Sequence, residues 1–145
     1  MPDSPQPRVV EDELQGQLRD LLCLAIVGDH VRWVLSGDGT AELAEWLTAA
    51  SDTWRAWAEE IAKQLAAAGV PPDGRIRSLA KDIPVNWVPP GWLDADAARA
   101  LLADRLSTVS EWARYRRSQS VGARAESLEA VCSGFGEQLR TLAER

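Results

Sequence analysis

The residues with the most chemical potential are carboxylates in the first half of the chain. Asp52, Glu59 and Glu60 fall within one segment, with Glu42 and Glu45 a few turns earlier. Paired carboxylates can move protons in acid–base chemistry; the same spacing also suits an acidic stripe turned to solvent or to a cavity. His30 is the sole histidine. No Ser or Cys nucleophile motif accompanies it, so it reads as a packed or surface residue. Cys23 and Cys132 stand in apolar surroundings and read as small buried hydrophobes, not as a disulfide framework. No Cys or Cys-His spacing suited to a metal is present. Arg114, Arg116, Arg117 and Arg124 gather around Tyr115. As a group they read as a solvated helix end that complements the helix dipole, or as a patch for a phosphate or a partner. Gly37-Asp38-Gly39 lacks the lysine and the preceding strand of a phosphate loop.

Seven tryptophans stand beside one Phe and one Tyr, so indole rings carry most of the aromatic packing. Trp46, Trp54 and Trp57 share a helical stripe and are expected in the core or at a subunit interface. Trp87 and Trp92 flank a Pro-Gly loop, where large aromatics mark an interface or an aromatic ligand pocket.

The elements that must position these residues are helical. Leu14, Leu18, Leu21, Leu22, Ala25, Ile26 and Trp33 recur at three- and four-residue steps, predicting a first helix from about Val9 to Leu35. It stops at Ser36-Gly37-Asp38-Gly39. A second helix, with Thr40 as its expected N-cap, carries Leu43, Trp46, Leu47, Ala50, Trp54, Trp57, Ile61, Leu65 and Ala68 and ends at Gly69. The connection from Val70 to Leu93 is long and holds a predicted short helix, Ile76 to Lys81. A third helix starts at Asp94 or Asp96. A polar break at Ser118 to Gly122 separates it from a fourth that shows Leu128, Val131, Cys132, Phe135, Leu139 and Leu142. The fold class is all-α, a four-helix bundle. A crossover of this length makes the second and third long helices parallel, as in ferritin-like folds. Residues 1–8 are expected to form a short disordered tail and residues 9–145 the bundle.

The net charge is −6 and the lysines are Lys63 and Lys81. With no basic tail, a nucleic-acid partner is disfavoured. The longest apolar run, Leu21 to Val27, is far short of the ~20 residues that cross a bilayer. The polar, Pro-rich start does not resemble a secretory signal. The expected location is the cytoplasm.

From about residue 14 to 144 the chain resembles the Dps family of miniferritins, of the actinobacterial type. Arg32-Trp33 stands where that family has His-Trp, and Pro72-Asp73-Gly74-Arg75 resembles the loop after its second helix. Gly134 with Glu137-Gln138 resembles its last helix. The resemblance implies a ferritin-like bundle assembling into a twelve-subunit shell. It also implies Fe(II) bound at sites shared between two subunits, oxidised by peroxide or oxygen, and stored against an acidic inner wall. The family's ligands are two histidines, two aspartates and a glutamate. The matching positions here are Arg32, Ala44, Thr48, Glu59 and Lys63, and only Glu59 keeps a ligand type. Iron needs oxygen donors and neutral imidazole. Arg32 is permanently cationic and accepts no hydrogen bond, and Lys63 puts an ammonium where a carboxylate belongs. The expectation is an ion-pair cluster of Arg32 or Lys63 with Glu59 in place of iron, in a shell lacking the usual ferroxidase centre. Such a shell could co-assemble with an active paralogue. The alternative is iron oxidation through a rearranged site using Glu59, Asp52 or other carboxylates. His30, two residues from Arg32, points about 200° away around the helix and is not a displaced ligand.

Overall fold

A computed structural model describes residues 7–81 and 86–145, and side chains from residue 13 onward. It contains five helices, α1 (Pro7–Val34), α2 (Thr40–Ala67), α3 (Ile76–Leu79), α4 (Ala95–Ser118) and α5 (Gly122–Ala143). The four long ones form the predicted bundle, and the short α3 lies in the crossover. α1 starts two residues earlier than the spacing predicts. Pro at a first helical position is favourable, because the missing N–H would have no intrahelical acceptor there. Most of the expected tail, residues 1–6, lies outside the described residues, while Pro7 and Arg8 belong to α1.

Two helix starts illustrate how local chemistry sets the boundaries. Asp94 caps α4, its carboxylate accepting from the Ala97 N–H at 2.8 Å. Thr40 is not the cap of α2. Gly39, at φ 76°, takes that place, and Thr40 is the first helical residue, donating its hydroxyl to the Gly37 carbonyl at 3.0 Å. The left-handed backbone needed to leave so tight a turn favours glycine over threonine.

The crossover runs along α1 and is fastened to it at three levels. The Gln15 side-chain amide pairs with the backbone of Asp73 in both directions, Nε2 donating to the carbonyl at 2.6 Å and Oε1 accepting from the N–H at 2.8 Å. Higher up, the Cys23 thiol donates to the Leu79 carbonyl at 3.7 Å. At the top, Ser36 N donates to Leu93 O at 2.8 Å and Leu93 N to Val34 O at 2.9 Å. The crossover therefore returns the chain to the level where α2 began, so α4 descends parallel to α2, as expected.

The core is built from Leu21, Leu24, Val31, Leu47, Trp54, Ile61, Leu102, Leu106, Val109 and Phe135, contributed by all four long helices. Trp46 and Trp54 meet edge-on with ring centroids 6.4 Å apart. Trp57, half-buried, meets Phe135 in the same way at 5.6 Å. Each buried indole N–H finds an acceptor on α5: Trp46 Nε1 donates to Thr141 Oγ1 at 2.9 Å and Trp54 Nε1 to Gln138 Oε1 at 2.8 Å.

Ile26 and Trp33 depart from expectation. Both belong to the apolar series that predicts α1, yet they are 56% and 66% exposed. They lie seven residues apart, hence on one face of the helix, and that face turns away from the bundle.

Candidate functional site

The five positions singled out by the resemblance all lie on α1 and α2, and within one chain they form two groups. Arg32, Ala44 and Thr48 sit toward the turn between the helices; Glu59 and Lys63 sit toward the far end of α2. The expected pairing of Arg32 or Lys63 with Glu59 does not form. Arg32 Nη2 donates to Asp29 Oδ1 at 3.2 Å, and Lys63 Nζ lies 3.7 Å from Glu60 Oε1. The cause is register. The helices run antiparallel away from their turn, and Gly28 of α1 meets Leu47 and Ser51 of α2. Arg32, one turn beyond Gly28, is therefore level with the beginning of α2. Glu59 lies well down that helix, leaving roughly 20 Å between them along the bundle. Lys63 turns to the neighbour three residues back, also within one helical face.

The donor set at these positions does not suit iron. Ala44 offers nothing beyond its backbone carbonyl, which accepts from the Thr48 hydroxyl at 3.0 Å. Arg32 and Lys63 cannot ligate while charged. Among the described residues, no three His, Cys, Asp or Glu side chains are gathered so as to hold a metal ion. Asp52, Glu59 and Glu60 are all exposed, as are Glu42 and Glu45. Glu59 borders a groove of about 330 Å³ between α1 and α2, lined by Leu18, Leu22, Arg55, Ala58, Ala62, Pro72 and Gly74. His30 is half-buried.

A buried charge network lies elsewhere, and sequence reasoning missed it. Glu13, Gln17 and Asp20 occupy successive turns of α1 and are buried against α4 and α5. Arg116 Nη1 donates to Asp20 Oδ2 at 2.7 Å and to Gln17 Oε1 at 3.3 Å. Arg124 Nη1 reaches Glu13 Oε2 at 3.4 Å, and the Ser120 hydroxyl donates to the same oxygen at 2.6 Å. Burial pushes the Asp20 carboxyl above its usual range, outweighing the opposite pull of Arg116. Two of the four clustered arginines are thus neither a solvated helix end nor a free patch. Only Arg114, which donates to Ser110 at 3.1 Å, and Arg117, paired with Glu129 at 3.1 Å, stay near the surface. The available signal was Glu13-Gln17-Asp20 at four- and three-residue steps, in phase with Leu21 and Leu24. This is a polar line on a core-facing stripe.

The thiols are free. Burial raises Cys23 to about 11, so it remains protonated and unreactive at neutral pH. Trp87 and Trp92 are 62% and 76% exposed. Arg105 donates to the Trp87 carbonyl at 2.8 Å, holding that loop against α4. No described helix is long and apolar enough to cross a membrane.

No protein-family model and no curated protein matches the chain. Solved structures do match its fold. Dps92 of Deinococcus radiodurans superposes with a TM-score of 0.90 at 19% identity, covering 95% of this chain and 86% of that one. A C-terminal deletion mutant of Mycobacterium smegmatis Dps gives 0.87 at 22% identity, covering 93% and 94%. A dodecameric thioferritin of Bacteroides fragilis, described as a bacterioferritin-related protein, gives 0.86 at 11%, covering 96% and 84%. The fold is that of the Dps and ferritin-like four-helix bundles.

Proposed function

We propose that this chain is a Dps-like subunit of a multi-subunit shell that lacks the usual ferroxidase centre. Its role is then structural or protective: holding iron mineral passively, alone or in mixed shells with an active paralogue. Superposition on Dps structures over 95% and 93% of this chain supports the shell. The observation that carries the loss of activity is the donor set. Of Arg32, Ala44, Thr48, Glu59 and Lys63, only Glu59 keeps a ligand type, and the two cations would repel iron. Iron is the cargo in this reading, not a resident cofactor.

A second reading keeps the activity and moves the site. Asp52, Glu59 and Glu60 are exposed on one helix, and carboxylates of a second subunit could complete a coordination sphere of oxygen donors.

Aerobic Fe(II) oxidation by the purified protein, beside a protein-free control and an active Dps, separates the two. A rate equal to the control is expected. A fast, saturable rate that falls in Glu59→Ala would establish the second reading and overturn the first.

A further inference from the structure

The arginine cluster around Tyr115 divides in two. Arg116 and Arg124 turn inward to Asp20 and Glu13. Arg114 and Arg117 stay outside and line a groove of about 460 Å³ between α4 and α5. From α4 the groove takes Arg114, Arg117 and Ser118, and from α5 Glu129, Cys132 and Ser133. Each helix therefore contributes residues at three- and four-residue steps, one face turned to the other. The Arg117–Glu129 pair, Nε to Oε1 at 3.1 Å, marks one level of the groove. Arg114 lies three residues before Arg117, and Cys132 three residues after Glu129. Because the helices are antiparallel, these two share the next level, roughly 4.5 Å along.

The donors at these levels are not used up. Arg117 commits Nε to Glu129, and Arg114 commits Nη1 to the uncharged Ser110 hydroxyl at 3.1 Å; their other N–H groups have no partner among the described residues. Glu129 balances one guanidinium, so the groove keeps one uncompensated positive charge in a chain whose net charge is −6. Both guanidinium groups also act on the Cys132 thiol. Burial raises its pKa and Glu129 adds to the rise, while Arg114 and then Arg117 oppose it. Guanidinium forks match the geometry of a tetrahedral oxyanion, which they hold through paired N–H bonds. The C-terminal dipole of α4 works against an anion beside Ser118, but it falls off within the last turn. The favoured place for the anion is thus the Arg114 level, one turn farther in.

We propose that this groove binds a phosphate group, gripped by Arg114 and Arg117, with the Ser133 hydroxyl donating to it from α5. The site lies within one chain and is independent of the α1 and α2 positions considered for iron. Its volume falls within the range of small-molecule sites, about 300–1,000 Å³, so a phosphate monoester has room as well as the free ion.

The test is thermal unfolding of the full chain in rising inorganic phosphate, against sodium chloride at equal ionic strength. A ligand held only by the folded chain raises the melting temperature in step with its occupancy. Phosphate also stabilises proteins generally, by exclusion from their surface; that effect acts alike on wild type and Arg114→Gln, so the variant separates the two. Arg114→Gln should need about 10-fold more phosphate, or above, for the same rise, the scale of a hydrogen bond to a charged group. Glu129→Gln removes the competing carboxylate and releases Arg117 Nε, and should need less. Glu45→Gln makes the same change of charge on α2 and should match wild type. Alkylation of half-buried Cys132 by an uncharged maleimide should slow as phosphate fills the groove. Phenyl phosphate acting at lower concentration than inorganic phosphate would mark a monoester as the ligand; weaker or equal action would mark the free ion. A phosphate response identical in wild type and Arg114→Gln would overturn the site. So would equal gains in Glu129→Gln and Glu45→Gln, or a Cys132 rate unmoved at phosphate concentrations that raise the melting temperature.

Discussion

Replacing Arg116 by methionine leaves the buried Asp20 carboxylate without the guanidinium that bonds it. Breaking one half of a buried pair costs about 3–5 kcal/mol, so this variant should melt well below wild type at neutral pH. The sign of the pH dependence follows from Asp20. Its folded-state pKa is already raised, and loss of Arg116 raises it further. A carboxyl raised in the folded state adds stability below its unfolded pKa, and that contribution is lost as pH rises through the folded value. The deficit of Arg116→Met should therefore shrink on acidification, which thermal melts at neutral and mildly acidic pH would register. An unchanged deficit would mean that Asp20 is not the group left exposed to the loss. At Cys23, a thiol reagent should react only as the protein unfolds, whereas half-buried Cys132 should react slowly in the native state. Sequence spacing revealed which residues are arginines and which positions face the core. It did not reveal that Arg116 and Arg124 turn inward while Arg117 does not, because that choice depends on carboxylates about a hundred residues away.

Gly134 on α5 shows why a helix pair can meet closely. A Cβ there would lie 2.2 Å from Cη2 of Trp57, whose ring is held against Phe135. Alanine would gain about 1 kcal/mol of helix propensity, but the indole would have to move, and overpacking costs about 1–3 kcal/mol. Gly134→Ala should be net destabilising by denaturant titration, and Trp57→Leu should relieve it. At the entry to α3, the Asp73 carboxylate accepts from Arg75 Nε at 2.9 Å, from Arg75 N at 3.1 Å and from the Ser78 hydroxyl at 2.6 Å. These bonds hold its pKa well below the usual carboxylate range, the Arg75 side chain contributing most. A depressed carboxyl adds stability above its unfolded pKa and loses it as pH falls through the folded value. Asp73→Asn should slightly lower the melting temperature at neutral pH and converge with wild type in strong acid. The helices were legible almost to the residue because the apolar period and the glycine and proline stops agree. The N-cap of α2 was not, since Thr40 has the commoner capping chemistry while the turn demands the backbone of Gly39.

At the scale of the whole molecule, the all-α bundle and its parallel crossover could be read from helix lengths and one long connection. The outward turn of Ile26 and Trp33 could not, because apolar residues at helical spacing look the same whether the partner is the chain's own core or another chain. The candidate site divides in the same way. The residue types at the five positions were visible one by one, but the roughly 20 Å that separates Arg32 from Glu59 along the bundle depends on how α1 and α2 are set against each other. The two hairpins, α1 with α2 and α4 with α5, meet along a seam that is polar on both sides. Arg116 and Arg124 answer Asp20 and Glu13 on one side; Thr141 and Gln138 answer Trp46 and Trp54 on the other. Apolar surfaces alone tolerate sliding, since leucine packs against leucine in many alignments. Here a slip of one helical turn, about 5.4 Å, would strand two carboxylates and two indole N–H groups at once. The seam works as a combination lock: each pair adds little by itself, yet only one alignment of the two hairpins opens none of them to an empty partner.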